Sequence, residues 1–263
     1  MNPAATIVIP LRRQHDGWLE QCVRSALNQT APCETIVVHA ADTPASNLAL
    51  IERLAQDHAQ LRAICEERPG SFPGAINLGI RCARADRVGL LLSDDWLEAD
   101  TVSECLAPDA DIVSTCNTVF HADGVTVLES ACANLTSERY RSLATLQARA
   151  SYLQHFFLFR RSALIEVGGL DESIGNFPGI DDYDLIWTLL ERGATVAIVE
   201  KRLYNYRDHD GERLTLADAS QAVRNLEVIL RKHNIAESDI PALIRKAARW
   251  YGKPMYRVLA AER

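Results

Sequence analysis

The chain has 263 residues, of which 48% are hydrophobic and 24% charged, and a formal net charge of −7. That length suffices for one full α/β domain with a large core, alone or with an appended helical piece, and the composition is ordinary for a soluble globular protein. The net acidity argues against nucleic acid as a partner, because phosphate binding rests on clustered Lys and Arg.

No apolar run approaches the roughly 20 residues that a bilayer span requires, and the opening MNPAATIVIPLRR lacks a charged region leading into an apolar core, so a cytoplasmic protein is expected. The seven cysteines (Cys22, Cys33, Cys65, Cys82, Cys105, Cys116 and Cys132) are odd in number and form no C-x-x-C pair. Neither a disulfide framework nor a zinc site is signalled, and small buried hydrophobes in a reducing compartment are expected.

In chain order, Thr6 to Ile9 is a β-branched run closed by Pro10, which predicts a first parallel strand ending in a loop. Trp18, Leu19, Cys22, Val23, Ala26 and Leu27 recur at helical spacing. ETIVV at Glu34 to Val38 predicts a second strand, Ser46 to His58 a second helix, Leu61 to Cys65 a third strand and about Gly74 to Cys82 a third helix. Four strands alternating with three helices make a doubly wound βαβ half, for which nucleotide binding is the first expectation.

The fourth strand matters most. Val88, Leu90, Leu91 and Leu92 read as a strand buried on both faces, and Asp94 and Asp95 follow at its carboxyl end. That edge is where ligands bind in open α/β sheets, and two hard oxygen ligands suit Mg²⁺ or Mn²⁺ carrying a substrate phosphate. The alternative is a strand exit followed by a helix N-cap with no ligand.

Farther on, a helix is predicted around Thr101 to Leu106, a strand over Asp111 to Thr115 and a hairpin about Asp123-Gly124. Residues 129 to 154 are polar and poorly periodic, and read as a loop or acceptor-side insertion; their sequon at Asn134 carries no meaning in a cytoplasmic protein. Phe156 to Phe159 returns to strand character, and a short helix after it stops at Gly168-Gly169. Asp181 or Asp182 can cap a helix running to Gly193, Thr195 to Val199 is a final strand, and LYNYRDHDGERLT reads as a polar exit. From Leu216 the pattern is helical.

The order of these pieces resembles the family 2 glycosyltransferases with a GT-A fold, over about residues 4 to 210. TIVIPL resembles the family's opening strand, and WLEQCVRSALNQT its next helix. GSFPGAINLGIRCARADRVGLLLSDDWLEAD is similar to its Gly-rich helix, Asn-x-Gly-Ile and Asp-x-Asp-Asp block. FRRSALIEVGGLDES and IDDYDL resemble its Gly-Gly-Phe-Asp-Glu and Glu-Asp segments. The implied fold is α/β, a doubly wound, mostly parallel sheet with a C-terminal helical extension. Residues 1–210 would form the transferase domain, with a nucleotide-binding half at 1–100 and an acceptor half at 101–210, and residues 211–263 the extension.

The resemblance implies inverting transfer of a sugar from a nucleotide sugar to an acceptor hydroxyl on a saccharide or glycolipid. It places nucleotide-sugar contacts at Pro10, Leu11, His39, Asp42, Arg68, Asn77, Ser93 and Asp94. Asp94 takes the second acid of Asp-x-Asp and would hold Mg²⁺ or Mn²⁺, offsetting charge on the leaving diphosphate. Asp95 would either ligate through water or cap the next helix. Asp182 matches the Asp of Glu-Asp and would be the general base, with Asp181 the alternative. His209, in Tyr-Arg-x-His, or Arg207 would meet the metal or diphosphate as a loop closes; a solvated loop histidine is the other reading. His39 is either a base contact or a structural histidine, and Arg68 either a diphosphate contact or a surface arginine.

Three positions depart from the family pattern. Leu92 replaces the first acid of Asp-x-Asp, His39-Ala40-Ala41-Asp42 replaces Asp-Asp-Gly-Ser, and Ile76 replaces an Arg. An unusual donor, or a degenerate domain that binds a nucleotide or partner without catalysis, would each account for these losses. A nucleotidyltransferase ranks last, for want of an N-terminal Gly-rich triphosphate loop. No Gln-x-x-Arg-Trp motif of processive members is present, which points to single-sugar transfer. The segment Ile240 to Arg263 carries six basic residues against one acid, Glu262. It either lies on an anionic membrane surface near a lipid-linked acceptor or packs as an amphipathic cover over the core, and packing is the favoured reading.

Overall fold

The computed structural model describes residues 2–67, 71–128, 135–174, 181–211, 216, 219–254 and 257–258. The first half alternates strand and helix: β1 (Ala5–Leu11), α1 (Asp16–Leu27), β2 (Cys33–Ala40), α2 (Ala45–Asp57), β3 (Leu61–Glu66), α3 (Phe72–Cys82) and β4 (Arg87–Leu90). β5 (Trp96–Leu97), α4 (Thr101–Leu106), β6 (Ile112–His121) and β7 (Val127–Leu128) follow. Then come α5 (Ser137–Ser142), α6 (Leu146–Tyr152), β8 (Phe157–Arg160), α7 (Arg161–Glu166) and a 3-10 turn at Glu172–Ile174. The last elements are α8 (Asp181–Glu191), β9 (Val196–Asp208), α9 (Ala219–Lys232) and α10 (Ile240–Ala248).

Among the described residues the strands form one sheet in the order β3-β2-β1-β4-β8-β6-β9-β5, with β7 on β6. β1, β2, β3 and β4 are mutually parallel, β6 and β9 run the same way, and β8, β5 and β7 oppose them. The fold is therefore α/β with a mostly parallel sheet.

Period-2 alternation sends Val8, Ile36, Val38, Val88 and Leu90 to one face, against α3, α7, α8 and α9. Ile7, Ile9, Val37, Leu91 and Leu158 face the other way, against α1, α2 and α4. Because both faces are covered, the strands read as continuous apolar runs. Pro10, which has no N–H to donate, lies beyond the last β4 partner of β1, Val8, so the central ladder loses no bond. The helix α3 starts where the Ser71 hydroxyl accepts from Gly74 N at 3.0 Å, with a proline in its first turn.

Two segments differ from expectation. The tail of the final strand, predicted as a polar exit, is the end of a 13-residue β9. Its polar side chains are buried and partnered rather than solvated: Asn205, Arg207 and Asp208 are each at most 2% exposed, so alternation of hydropathy does not reveal the strand. β9 pairs with β6 through register shifts around Cys116. The predicted loop at 129–154 holds α5 and α6, capped by the Thr136 and Thr145 hydroxyls; residues 129–134, including Asn134, lie outside the described residues. The C-terminal helices share the core: Leu226, Ile229, Leu230 and Ile240 join α8's cluster, with Leu243, Ile244, Ala247 and Tyr251 packed on it. The apolar side of α10 thus covers the core while Arg245, Lys246 and Arg249 are exposed. No helix among the described residues is long and apolar enough to cross a membrane.

Gly89 sets the sheet's closest packing, because the ring of the fully buried Phe156 lies where its Cβ would be. Gly89→Ala should lower unfolding stability by about 1–3 kcal/mol through overpacking, read as a lower denaturant midpoint at constant slope. An unchanged midpoint would show that the ring moves aside freely.

Candidate functional site

The carboxyl ends of β1, β2 and β4 define one edge of the sheet, and the end of β9 meets them there. Arg207 enters this edge from β9 and is 1% exposed. Its Nε donates to the Asp94 carbonyl at 3.0 Å, one terminal nitrogen to the Ala122 carbonyl at 3.0 Å and the other to Gln21 Oε1 at 2.6 Å. Its guanidinium carbon lies 5.0 Å from the Trp18 ring centre and 4.8 Å from that of Trp96. Burial lowers the pKa of the guanidinium, and Asp95 and Asp94 oppose that shift. Arg207 is therefore an interior brace, a correction to its expected contact with metal or diphosphate.

Asp95 is 1% exposed. Its Oδ1 accepts from Arg207 N at 2.7 Å and its Oδ2 accepts from the Tyr204 hydroxyl. No helix begins at Asp95, since β5 follows directly. The helix-capping expectation gives way to a role in which Asp95 ties β9 to the loop after β4.

Asp94 has a 15% exposed side chain, and its Oδ2 lies 3.1 Å from His209 Nε2. His209 Nδ1 accepts from Gly211 N at 3.0 Å, so a neutral ring carries its proton on Nε2 and donates to Asp94. A histidine ligating through Nε2 would need that proton on Nδ1. In this arrangement His209 orients Asp94, with Trp18 packed on the imidazole at 4.7 Å. Among the described residues no group of three or more His, Cys, Asp or Glu could hold a metal. One carboxylate completed by diphosphate oxygens and waters is nevertheless a donor set that Mg²⁺ accepts, so Asp94 fits the cation without help from Leu92.

The other expected donor contacts divide. Pro10 and Leu11 are buried in β1, and Gln14 Nε2 reaches Ser93 Oγ at 3.4 Å on the same edge. His39, half-buried at the end of β2, has Nδ1 3.1 Å from the Ala40 carbonyl. Asp42 is exposed and takes 2.9 Å and 3.2 Å bonds from Arg12, which holds its carboxyl below the usual range. Arg68 lies outside the described residues. Asn77 is a correction: it is 5% exposed, donates to the Leu170 carbonyl and Glu172 Oε1, and accepts from Leu170 N. It clamps α3 to the segment after α7, with both amide protons and one oxygen lone pair already used.

The second pair of acids opens α8. Burial first, then the charges of Asp182 and Asp184, push the Asp181 carboxyl well above its ordinary value. Asp182 is better furnished with donors: its Oδ1 accepts from Tyr183 N at 2.8 Å and its Oδ2 lies 3.1 Å from His155 Nε2. Sequence reasoning missed His155, a lone histidine in a polar stretch with no motif around it. It also missed Tyr204 and Gln21, whose partners are over a hundred residues away.

The family described as "Glycosyltransferase like family 2" matches residues 3–253. The chain belongs to that family. It is 26% identical over 261 residues to the O-antigen biosynthesis protein RfbC of Myxococcus xanthus, covering 95% of this chain and 20% of that one. It is 30% identical over 200 residues to a chondroitin synthase of Escherichia coli, covering 73% and 27%. The chain thus spans between a fifth and about a quarter of these relatives' lengths. In structure it resembles S. aureus TarS residues 1–349 with UDP-GlcNAc (TM-score 0.67, 14% identity, 94% of this chain and 72% of that one). It also resembles the mannosyltransferase PcManGT of Pyrobaculum calidifontis with GDP-Man and Mn²⁺ (TM-score 0.64, 17% identity, 99% and 74%). At these identities the structural likeness establishes the GT-A fold.

Asn77→Ala removes a clamp that touches no ligand. It should lower stability by about 1–3 kcal/mol by orphaning the Leu170 amide, while nucleoside diphosphate affinity stays unchanged by calorimetry. Weakened affinity at wild-type stability would restore Asn77 to the donor site.

Proposed function

We propose that this chain transfers a single sugar per turnover from a nucleotide sugar to an acceptor hydroxyl, with inversion at the anomeric carbon, in the synthesis of a cell-surface glycan. The observation that carries this reading is the pair of acids on one sheet edge. Asp94 is oriented by His209 beside the β1 and β4 exits, and Asp182 is held by donors at the start of α8. The activities for which the relatives are named, and the UDP-GlcNAc and GDP-Man held by the structural neighbours, support a donor at the first acid and an acceptor at the second.

The chemistry asks for two things. The acceptor oxygen attacks the anomeric carbon as the bond from that carbon to the diphosphate oxygen breaks, and the bonding pair leaves with the diphosphate. The acceptor proton passes to the Asp182 carboxylate, opposite the leaving group, which is the geometry that inverts the centre. When bound at Asp94, Mg²⁺ or Mn²⁺ would supply the positive charge that offsets the departing diphosphate. Asp181, whose carboxyl is pushed toward its neutral form, is the weaker assignment for the base.

The competing reading is a non-catalytic nucleotide-binding domain, favoured by Leu92 and Ala40 where acids are expected. Incubating the protein with a panel of nucleotide sugars and glycan acceptors, with Mn²⁺ or with chelator, tests both. Metal-dependent release of nucleoside diphosphate with product formation supports transfer, and any transferred sugar eliminates the non-catalytic reading. Donor binding without product across the panel overturns transfer.

Asp182→Asn should lower kcat on the order of 10²–10⁴-fold with donor binding retained. Normal turnover would sink the base assignment.

Asp181→Asn should keep turnover and raise the thermal midpoint at neutral pH. A folded pKa above the unfolded value means that wild-type stability is full below the unfolded pKa and falls as pH rises through the folded one. The variant's advantage should therefore fade on acidification and vanish below the ordinary carboxylate range; an advantage independent of pH would refute the shift.

A further inference from the structure

We propose that His155 is a positioning residue that fixes the carboxylate of Asp182 for its role as base, an inference that rests on the transfer reading above. His155 lies between α6 and β8, with its side chain 20% exposed. Phe157 packs on the ring at 4.6 Å between centroids, and Tyr204 stacks on it at 5.3 Å with an interplanar angle of 29°. The imidazole therefore has little freedom to turn. Its Nε2 faces Asp182 Oδ2 at 3.1 Å, and its Nδ1 is buried with no hydrogen-bond partner among the described residues.

That asymmetry determines the tautomer. A neutral imidazole carries one proton, and on Nδ1 it would be a buried donor facing nothing, while Asp182 would confront a lone pair. On Nε2 the proton completes the bond to Asp182, and only an unfilled acceptor is left at Nδ1. An unpaired buried acceptor is tolerated better than an unpaired buried donor. His155 accordingly donates through Nε2.

With Oδ2 held by His155 and Oδ1 by Tyr183 N, the carboxylate plane cannot rotate, and each oxygen retains a lone pair for an acceptor proton. The stack also links the two ends of the site. Tyr204 behind His155 donates to Asp95, whose other oxygen takes Arg207 N beside Asp94. The orientation of the acceptor-side base is thereby set by the same residues that fix the donor-side loop. The charged and titratable groups that bear on this pair are Asp181 and Asp184 on α8, the Tyr183 hydroxyl bound by Gln147 of α6, and Tyr204 with Asp95 from β9 and the β4 exit.

The first arm of the test needs no turnover. Long-range proton–nitrogen NMR of the full chain, with the His155 signals identified by their loss in H155Q, should show protonation at Nε2 alone near neutral pH. Protonation at Nδ1 would overturn the proposal.

The second arm is kinetic, with the donor and acceptor that the panel yields. H155F keeps the stacking and removes the donor, and H155N shortens it out of reach. Both should lose about 10–100-fold in kcat with donor KM unchanged and with the acidic limb of the rate profile moved to higher pH. H155Q, whose amide reaches the Nε2 position, should keep most of the activity. H155F in the D182N background should cost nothing further, because a residue acting through Asp182 has nothing left to position. Wild-type rates in H155F and H155N, together with an inactive D182N, would leave the base in place and overturn the positioning role. A fully active D182N would instead overturn the base reading, whatever His155 does. Should H155F fail to fold, equal losses in H155N and H155Q would likewise count against positioning.

Discussion

A guanidinium that is 1% exposed is tolerable only when its donors meet acceptors, and all three nitrogens of the Arg207 fork do so. The loop after β4, the β6–β7 hairpin and α1 each contribute one acceptor, while Asp95 accepts from its backbone amide. Trp18 and Trp96 close the two faces of its plane. A lysine gathers its three donors on one atom, whereas these acceptors are met by three separate nitrogens of the planar fork. The hairpin comes this close only because Gly124, at φ +70°, presents no Cβ to the guanidinium. Buried charges of this kind add little net stability but select one arrangement among compact alternatives, and here the arrangement selected is that of the Asp94 loop.

The same logic joins the rest of the chain to the site. Asn77 uses its amide to bridge α3 to the backbone of Leu170, which precedes the 3-10 turn leading toward α8. On the far side of α8, His233 of the C-terminal region stacks on Trp187 at 4.1 Å and faces Asp184 and Glu191 with its two nitrogens, at 3.0 Å and 2.9 Å. Lys232 also reaches Asp184, at 2.8 Å. The helix bearing Asp182 is therefore fixed by the C-terminal region, and residues after 218 contribute to placing Asp182 as well as to the core.

How much of this was legible follows from the kind of signal each part leaves. The βαβ half was readable because β1, β2 and β4 are buried on both faces and their helices expose one side, so hydropathy periods of 2 and 3.6 mark them directly. The short apolar run at Phe156 to Phe159 and the hairpin at Asp123-Gly124 were readable for the same local reasons. The end of β9 was not, because Tyr204, Asn205, Arg207 and Asp208 are polar and buried at once; their burial depends on partners more than a hundred residues away, such as Asp95 and Gln21. The acids illustrate the same divide. That Asp94, Asp95, Asp181 and Asp182 belong near chemistry could be read from position, but which acid braces and which is presented depends on hydrogen bonds that sequence does not display. Asn77 likewise lay in the right block, but its amide is engaged by Leu170 and Glu172, and His155 left no local trace.

Leu92 shows how a lost acid changes what the remaining one requires. With two carboxylates on the loop, a cation would be centred by the pair, and the orientation of either acid would matter less. With Asp94 alone, direction has to come from the groups around it, and the structure supplies them in sequence. Gly211 N fixes the His209 tautomer, His209 Nε2 fixes Asp94 Oδ2, Trp18 packs on the imidazole, and Arg207 holds the Asp94 carbonyl. A supporting shell of this kind aims a single ligand as firmly as a second acid would, and it leaves the diphosphate side with one negative charge fewer. Leucine in place of that acid therefore leaves Asp94 firmly aimed, because the orientation that a second acid would have shared is carried by donors anchored to β9.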